Sequence, residues 1–345
     1  MKASTVPEAV TSRWRLLRDA ILEPVTTGLI NSTFRIHAAD GEWAILQRLH
    51  SVFPSTVNNN IDAVTAHLRA HGMLTPRLIP CDDGEPWCEV DGRCWRMLTF
   101  MPGTAYNAML STRMASEAGS IVGRFHTAMS DFDYDYPGQR SNVHDTARHL
   151  RKLHESLATH AGHRLYQQVE PLAQRILAAV ATYSDIDNLP ARHAHGDLKI
   201  SNILYADDGR ALCLIDLDTV NRMPWPLEMG DALRSWCNPR TEDQLRADLD
   251  LEVLDAALAG YAKTAPTWLT PAEIEALIPG LERICLELSA RFLSDALTES
   301  YFAWDRRNYP TAGEHNLARG HAMSQLWADV CAKRDAARAI VARYL

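Results

Sequence analysis

Lysine is scarce in this chain of 345 residues: Lys2, Lys152, Lys199, Lys263 and Lys333 are all it has. Cysteine is sparse too, with seven residues at 81, 88, 94, 213, 237, 285 and 331. An odd number in a chain of this size excludes a disulfide framework, and no pair has the two-residue gap of a zinc knuckle. The thiols read as reduced groups of a cytoplasmic protein. Positive charge is short overall, 35 Lys and Arg against 43 Asp and Glu, for a formal net charge of -8. That balance excludes a sequence-independent nucleic-acid binder. Long apolar runs are missing as well. No stretch approaches ~18 uninterrupted apolar residues, so no membrane-spanning helix is expected. Residues 1–21 include Glu8, Arg13, Arg15, Arg18 and Asp19 and no apolar run, so no signal peptide is expected.

What is present is globular. Hydrophobic residues make up 46% and charged residues 23%, which excludes wholesale disorder. The length suits two domains or one large domain with two lobes. Residues 7–20 carry a helical pattern. Residues 22–49 read as strand, turn, strand, Asp40-Gly41 turn, strand. Residues 56–71 read as a helix stopped by Gly72. A further hairpin ends in residues 94–101, before Pro102-Gly103. From residue 113 the period becomes helical, with Ala118, Ile121, Val122, Phe125 and Met129 on one face. Residues 145–183 are also helical, and 241–262, 271–301 and 315–344 complete the chain as helices. Between them, 200–205 and 211–217 flank an Asp207-Asp208-Gly209 turn as a small hairpin. This is an α+β layout. Residues 1–101 are expected to form a β-rich nucleotide-binding lobe and 102–345 a helical lobe with the catalytic loop and substrate pocket.

The chemistry concentrates between residues 193 and 218. His195, Asp197, Lys199 and Asn202 stand in H-G-D-L-K-I-S-N, and Asp216 in I-D-L-D. Phosphoryl transfer needs a carboxylate to orient the attacking hydroxyl, a cation near the moving phosphoryl group, and hard oxygen ligands for a divalent metal. Asp197 and Lys199 fit the first two, Asn202 and Asp216 the third. The kinase catalytic loop has the same frame, and His195, Asp197, Leu198 and Asn202 all match it. His195 is read as a brace for the loop. A competing motif, His193-x-His195-x-Asp197, begins like a zinc hydrolase ligand string. Leu198 breaks that string, and it leaves Lys199, Asn202 and Asp216 unexplained.

The first lobe should hold the nucleotide. Gly28, Asn31, Ser32 and Thr33 lie between two strands, where a loop over phosphates belongs. Kinases of this layout carry a lysine on the third strand. This lobe has none after Lys2, so Arg48 is the expected phosphate cation, with its neighbour Gln47 as the alternative. The helix at 56–71 also lacks the usual Glu. Backbone groups of Thr99, Phe100 and Met101 are expected to pair with adenine.

The H-G-D-L-x-x-x-N string followed by I-D-L-D resembles the aminoglycoside phosphotransferase and choline kinase superfamily. Protein kinases have Arg where Gly196 stands, and their D-F-G and A-P-E strings are absent. The segments ILQRLHSVF (45–53), NNIDAVTAHL (59–68), IDLDTV (215–220), GDALRS (230–235) and ARFLSDAL (290–297) are similar to the N-acetylhexosamine 1-kinase group. The resemblance implies a protein-kinase-like two-lobed fold. It implies ATP and Mg2+ as cofactors and transfer of the γ-phosphoryl group to the anomeric hydroxyl of an N-acetylhexosamine. Asp197 would be the base, Asn202 and Asp216 the metal ligands, and Asp231 a brace for the loop. Arg291 and Tyr301 are the candidates for the sugar pocket, against plain readings as a helix ion pair and a packed aromatic.

Two alternatives stand beside this one. A different alcohol, such as an aminoglycoside, an amino alcohol or homoserine, would call on Glu228, Asp231, Asp295, Glu299 and Asp305 to meet its positive charge. A non-catalytic nucleotide-binding module is the other, given the missing lysine and Glu. The expected partner is a small molecule, with no nucleic acid and no membrane, and the chain is expected to be a monomer or dimer.

Overall fold

A computed structural model describes residues 6–25, 31–41, 43–138, 143–240 and 247–345. The chain forms two compact units, Met1–Pro102 with Phe132–Arg140, and Gly103–Asp131 with Ser141–Leu345.

The first unit contains α1 (Glu8–Thr11), β1 (Ile21–Val25), β2 (Ser32–His37), β3 (Trp43–Arg48), α2 (Val57–Ala70), β4 (Leu78–Ile79), β5 (Cys88–Val90) and β6 (Arg93–Thr99). Its antiparallel sheet runs β1-β2-β3-β6-β4, with β5 on β6. Phe34 pairs with Leu46, and Leu46 with Met97. Period-two alternation then sorts the side chains. Phe34, Ile36, Ala44, Leu46, Trp95 and Met97 pack against Val10, Trp14 and Leu17. Thr33, Arg35, Ile45, Gln47, Arg96 and Leu98 occupy the alternate positions. The strand pattern of 22–49 is as expected, but the helix of 7–20 is not. Only Glu8–Thr11 is α-helical, followed by a 3₁₀ turn at Arg15–Leu17. Trp14 is extended and buried, its Nε1 donating to the Ile79 carbonyl at 2.9 Å. Tertiary burial of the indole overrides the local helical pattern. Residues 132–138 return to this unit, and the Tyr134 hydroxyl donates to Asn60 Oδ1 at 2.9 Å.

The second unit contains β7 (Thr104–Ala105), α3 (Thr112–Ala128), α4 (Thr146–Thr159), α5 (Tyr166–Val180), β8 (Ala191–Ala194), β9 (Ile203–Tyr205), β10 (Ala211–Leu214) and β11 (Asn221–Pro224). Then follow α6 (Trp225–Trp236), α7 (Leu251–Ala262), α8 (Pro271–Glu275), α9 (Leu277–Thr298), α10 (Ala312–Ala332) and α11 (Arg334–Tyr344). Helix α9 is the axis of its core. Leu286, Ala290, Leu293 and Leu297 meet Leu153 and Leu157 of α4, Leu172 and Ile176 of α5, and Leu317 of α10. The expected hairpin exists as β9 and β10. Helix α6 and the β8–β11 pair were not anticipated. Among the described residues no helix is long and apolar enough to cross a membrane.

Candidate active site

The segment 195–202 leaves β8 and enters β9, and two bonds lash it to the end of β10. Ile215 N donates to the Asn202 carbonyl at 2.9 Å. His195 Nε2 donates to the Ile215 carbonyl at 2.9 Å, which fixes the ring's tautomer. These bonds bring Asp216 beside the loop. Asp216 itself is left-handed, φ 65° and ψ 57°, a conformation costing of order 1–3 kcal/mol that clusters at functional sites.

Within the loop, Lys199 Nζ donates to Asp197 Oδ2 at 2.5 Å. The Asn202 amide nitrogen donates to the Asp197 carbonyl at 2.8 Å and to its Oδ2 at 3.0 Å. That turns the Asn202 carbonyl oxygen away from Asp197. The Asp197 side chain stays 24% exposed, so an acceptor hydroxyl can reach it. Burial pushes the Asp197 carboxyl up, but Lys199 outweighs it and holds the group at about 2. Asp216 is exposed, yet protein atoms crowd its carboxyl. That desolvation, and then Asp218, raise it to about 6 against the pull of Lys199. Lys199 goes up as well: burial opposes its charge, and Asp197 and Asp216 prevail.

Gly196 has φ +83°, and a Cβ there would lie 2.5 Å from the Thr219 carbonyl oxygen. An arginine at this position, as in protein kinases, is sterically excluded here.

Helix α6 holds the loop from below. Glu228 is buried and accepts the backbone N–H of His195 at 2.7 Å and of Gly196 at 3.0 Å. Burial disfavours its charge, yet the His126 ring, with Nε2 3.7 Å from Oε1, and the interactions with His195 outweigh this and keep the carboxyl below its ordinary value. Ser235 Oγ accepts Ile200 N at 3.0 Å, and Trp236 Nε1 donates to the Leu198 carbonyl at 2.8 Å. The brace expected at Asp231 therefore sits one turn earlier, at Glu228. Asp231 Oδ1 instead accepts Arg234 Nε at 3.0 Å and Nη2 at 2.8 Å. Glu228→Gln should cost about 2–3 kcal/mol, because an amide turns a donor toward a buried N–H. Urea unfolding measures this; a stability equal to wild type would remove Glu228 from the role.

Beyond Asp231 lies a buried ionic cluster. His144 Nδ1 meets Glu287 Oε1 at 2.9 Å, and Thr146 Oγ1 donates to Oε2 at 2.5 Å. Burial would raise Glu287, but His144 holds it at about 2. Arg291 follows one turn along α9 and lies over the Phe302 ring at 5.7 Å. Tyr301 is 44% exposed, with Lys152 Nζ 5.7 Å from its ring centroid. Asp295 fixes that segment by accepting the backbone N–H groups of Ser300, Tyr301 and Phe302.

In the first unit, Gly28 lies outside the described residues. Asn31 Oδ1 accepts His50 N at 2.9 Å. Arg48 and Gln47 part to opposite faces of β3. Arg48 follows Leu46 on the core face, donates to Ser32 Oγ at 3.0 Å and lies over Trp95 at 5.8 Å. The alternate positions belong to Gln47 and Thr33, joined at 3.2 Å. The Thr99 N–H is taken by the Arg77 carbonyl at 2.8 Å, so Thr99 does not offer it to adenine. Phe100 packs its ring on Trp43 at 5.8 Å, and of the three only it and Met101 keep the adenine expectation for backbone N–H groups.

Residues 21–267 match the model of the phosphotransferase enzyme family. The chain belongs to this family. A homoserine kinase of Cupriavidus taiwanensis is 25% identical over 282 residues, covering 78% of this chain and 80% of that one. Two solved structures share the fold. An amicoumacin kinase in complex with AMP-PNP, Ca2+ and amicoumacin has a TM-score of 0.63 at 16% identity, covering 87% of this chain and 86% of that one. A microcompartment-associated aminopropanol kinase has a TM-score of 0.63 at 15% identity, covering 96% and 97%. As a member of the family, the protein is a phosphotransferase with an alcohol group as acceptor.

Proposed function

We propose that this phosphotransferase moves the γ-phosphoryl group of ATP to a hydroxyl of a neutral sugar, with an N-acetylhexosamine and its anomeric hydroxyl as the first candidate. The observation that carries the reaction is the arrangement of Asp197, Lys199, Asn202 and Asp216 on one braced loop and the strand end beside it. Asp197 receives the acceptor's proton, and Lys199 keeps it ionised until then. The donor set fits a divalent ion: two neighbouring carboxylates, Asp216 raised to about 6 by desolvation and by Asp218, and an amide oxygen turned off Asp197. Asn202 and Asp216 would hold Mg2+. Magnesium, when bound, offsets charge on the β and γ phosphates.

The sugar is supported by what the acids are doing. Glu228 holds loop amides, Asp295 holds the amides of 300–302, and Asp305 accepts Arg307 N and Asn308 Nδ2. Glu299 pairs with Arg164 at 2.8 Å, and Asp231 pairs with Arg234. Four of these five are committed to loop ends and surface pairs, which leaves little negative charge for an ammonium. Arg291 and Tyr301 stand as the proposed sugar contacts.

A second reading, an amino-bearing alcohol, also has an observation behind it. Asp231 Oδ2 is buried with no hydrogen-bond partner, and its carboxylate acts electrostatically on Lys199. Together with the homoserine kinase likeness, that favours a donor such as an ammonium there. A coupled ADP-release screen decides. N-acetylhexosamines, hexoses, homoserine, amino alcohols and aminoglycosides are offered in parallel. Turnover confined to amine-bearing acceptors would replace the sugar with the second reading, and no ADP with any acceptor would reject both.

A further inference from the structure

Strand β3 presents two candidates for the phosphate contact, and their surroundings differ in kind. Arg48 belongs to the face of Ala44 and Leu46. Gln47 lies opposite, between Thr33 of β2 and Arg96 of β6. Its Oε1 accepts two bonds from Arg96, from Nε at 2.9 Å and from Nη2 at 2.7 Å. Arg96 Nη1 donates to Asn58 Oδ1 of α2 at 3.2 Å. Gln47 Nε2 donates to Thr33 Oγ1 at 3.2 Å. Arg96 is 1% exposed, whereas Gln47 is half-buried.

This fork does two things to the amide. Only Oε1 can face the guanidinium, so Nε2 must face the other way, toward Thr33 and the reachable surface. The charge-assisted bonds also polarise the amide, which makes its N–H groups stronger donors. A primary amide has two N–H groups, and Thr33 takes one.

We propose that Gln47 is the residue of β3 that donates to the nucleotide phosphates, with Arg96 as the positioning residue behind it. This rests on the ATP reading above. The positive charge that a third-strand lysine would deliver at its tip comes instead from the next strand, through an amide. Asn58, in the first turn of α2, ties that guanidinium to the helix with a neutral oxygen where a Glu would be usual.

Gln47→Ala is an ambiguous test, because it strips Arg96 of a buried acceptor. Gln47→Glu keeps both bonds to Arg96 and replaces the donor with a carboxylate oxygen. The experiment is calorimetric titration of the full-length protein with MgATP and with adenosine, beside a thermal melt. Expected for Gln47→Glu are an unlowered melting temperature, adenosine affinity within about twofold, and MgATP affinity down about tenfold or more. Arg96→Lys, with one donor in place of a fork, should weaken MgATP less than Gln47→Glu and leave adenosine alone. MgATP affinity within twofold of wild type for a folded Gln47→Glu overturns the assignment. So does an equal loss for adenosine and MgATP, which marks a structural role, or a loss found only in Arg48→Ala. Failure of the wild-type protein itself to bind MgATP overturns the ATP reading, and this proposal with it.

Discussion

Asp197→Asn is expected to lower turnover by about 10²–10⁴-fold while leaving MgATP affinity near wild type. The carboxylate faces the acceptor hydroxyl, and the substitution removes the only atom of the loop that can take its proton as an ionised acid. The geometry should survive. An asparagine Oδ1 can still accept from Lys199 and Asn202, whose bonds of 2.5 and 3.0 Å define the loop. Stability adds an independent check. A folded carboxyl held at about 2 contributes stability that is present above its unfolded pKa and lost as pH falls toward 2. Any stability deficit of the variant at neutral pH should therefore shrink between about pH 4 and 2. Initial rates, calorimetry and urea melts across pH make the measurement. Steady-state kinetics close to wild type would falsify Asp197 as the base.

Asp216→Ala should abolish the magnesium dependence of nucleotide binding and take turnover with it, by about 10²-fold or more. Asp216 is held in a left-handed conformation at the end of β10, with Asp218 and Lys199 as its electrostatic neighbours. A carboxyl raised to about 6 is mostly ionised and open to a metal near neutrality, whereas below pH 6 a metal must displace its proton to solvent. In the wild type, magnesium should raise the melting temperature more at pH 7.5 than at pH 5.5. In the variant that difference should vanish. An unchanged magnesium requirement for ATP binding would move the ligand to Asp218 or elsewhere. Without metal the same raised pKa works against the fold: the stability of the protonated form is lost as pH rises through about 6. Asp216→Ala is thus expected to be at least as stable as wild type in metal-free buffer at pH 8.

The catalytic loop was legible because its chemistry is local. Asp197, Lys199 and Asn202 fall within a few residues, and a hairpin turn at Asp207-Asp208-Gly209 foretells the return of Asp216. The alternation of β3 was legible as well, since Ile45 and Gln47 must part from Leu46 and Arg48. Which face carries the core was not. That depended on Trp14 and Leu17, which were read as one long helix and instead lie extended and in a 3₁₀ turn against the sheet. Helix α6 was missed for a different reason. In W-P-L-E-M-G-D-A-L-R-S-W the polar residues Glu228, Asp231, Arg234 and Ser235 do recur at helical spacing, but Glu228, Asp231 and Arg234 are buried, so the stripe is not the solvated face by which a surface helix is read. With the helix went its role, and the brace was assigned to Asp231. The fork from Arg96 to Gln47 is a contact between residues 49 apart on different strands, and nothing in the spacing of a single sequence announces it.

Helix α6 reaches the catalytic loop at His195, Gly196, Leu198 and Ile200 through Glu228, Trp236 and Ser235. The same helix packs on α9, the axis of the second unit. Amide hydrogens at 195, 196 and 200 can then exchange with solvent only when α6 lets go, and α6 cannot let go without disturbing α9. Their exchange should slow to the rate of whole-unit opening, while the amides of Asp207 and Asp208 in the exposed turn exchange freely. Under denaturant, catalytic competence and the helical core should disappear in one cooperative step.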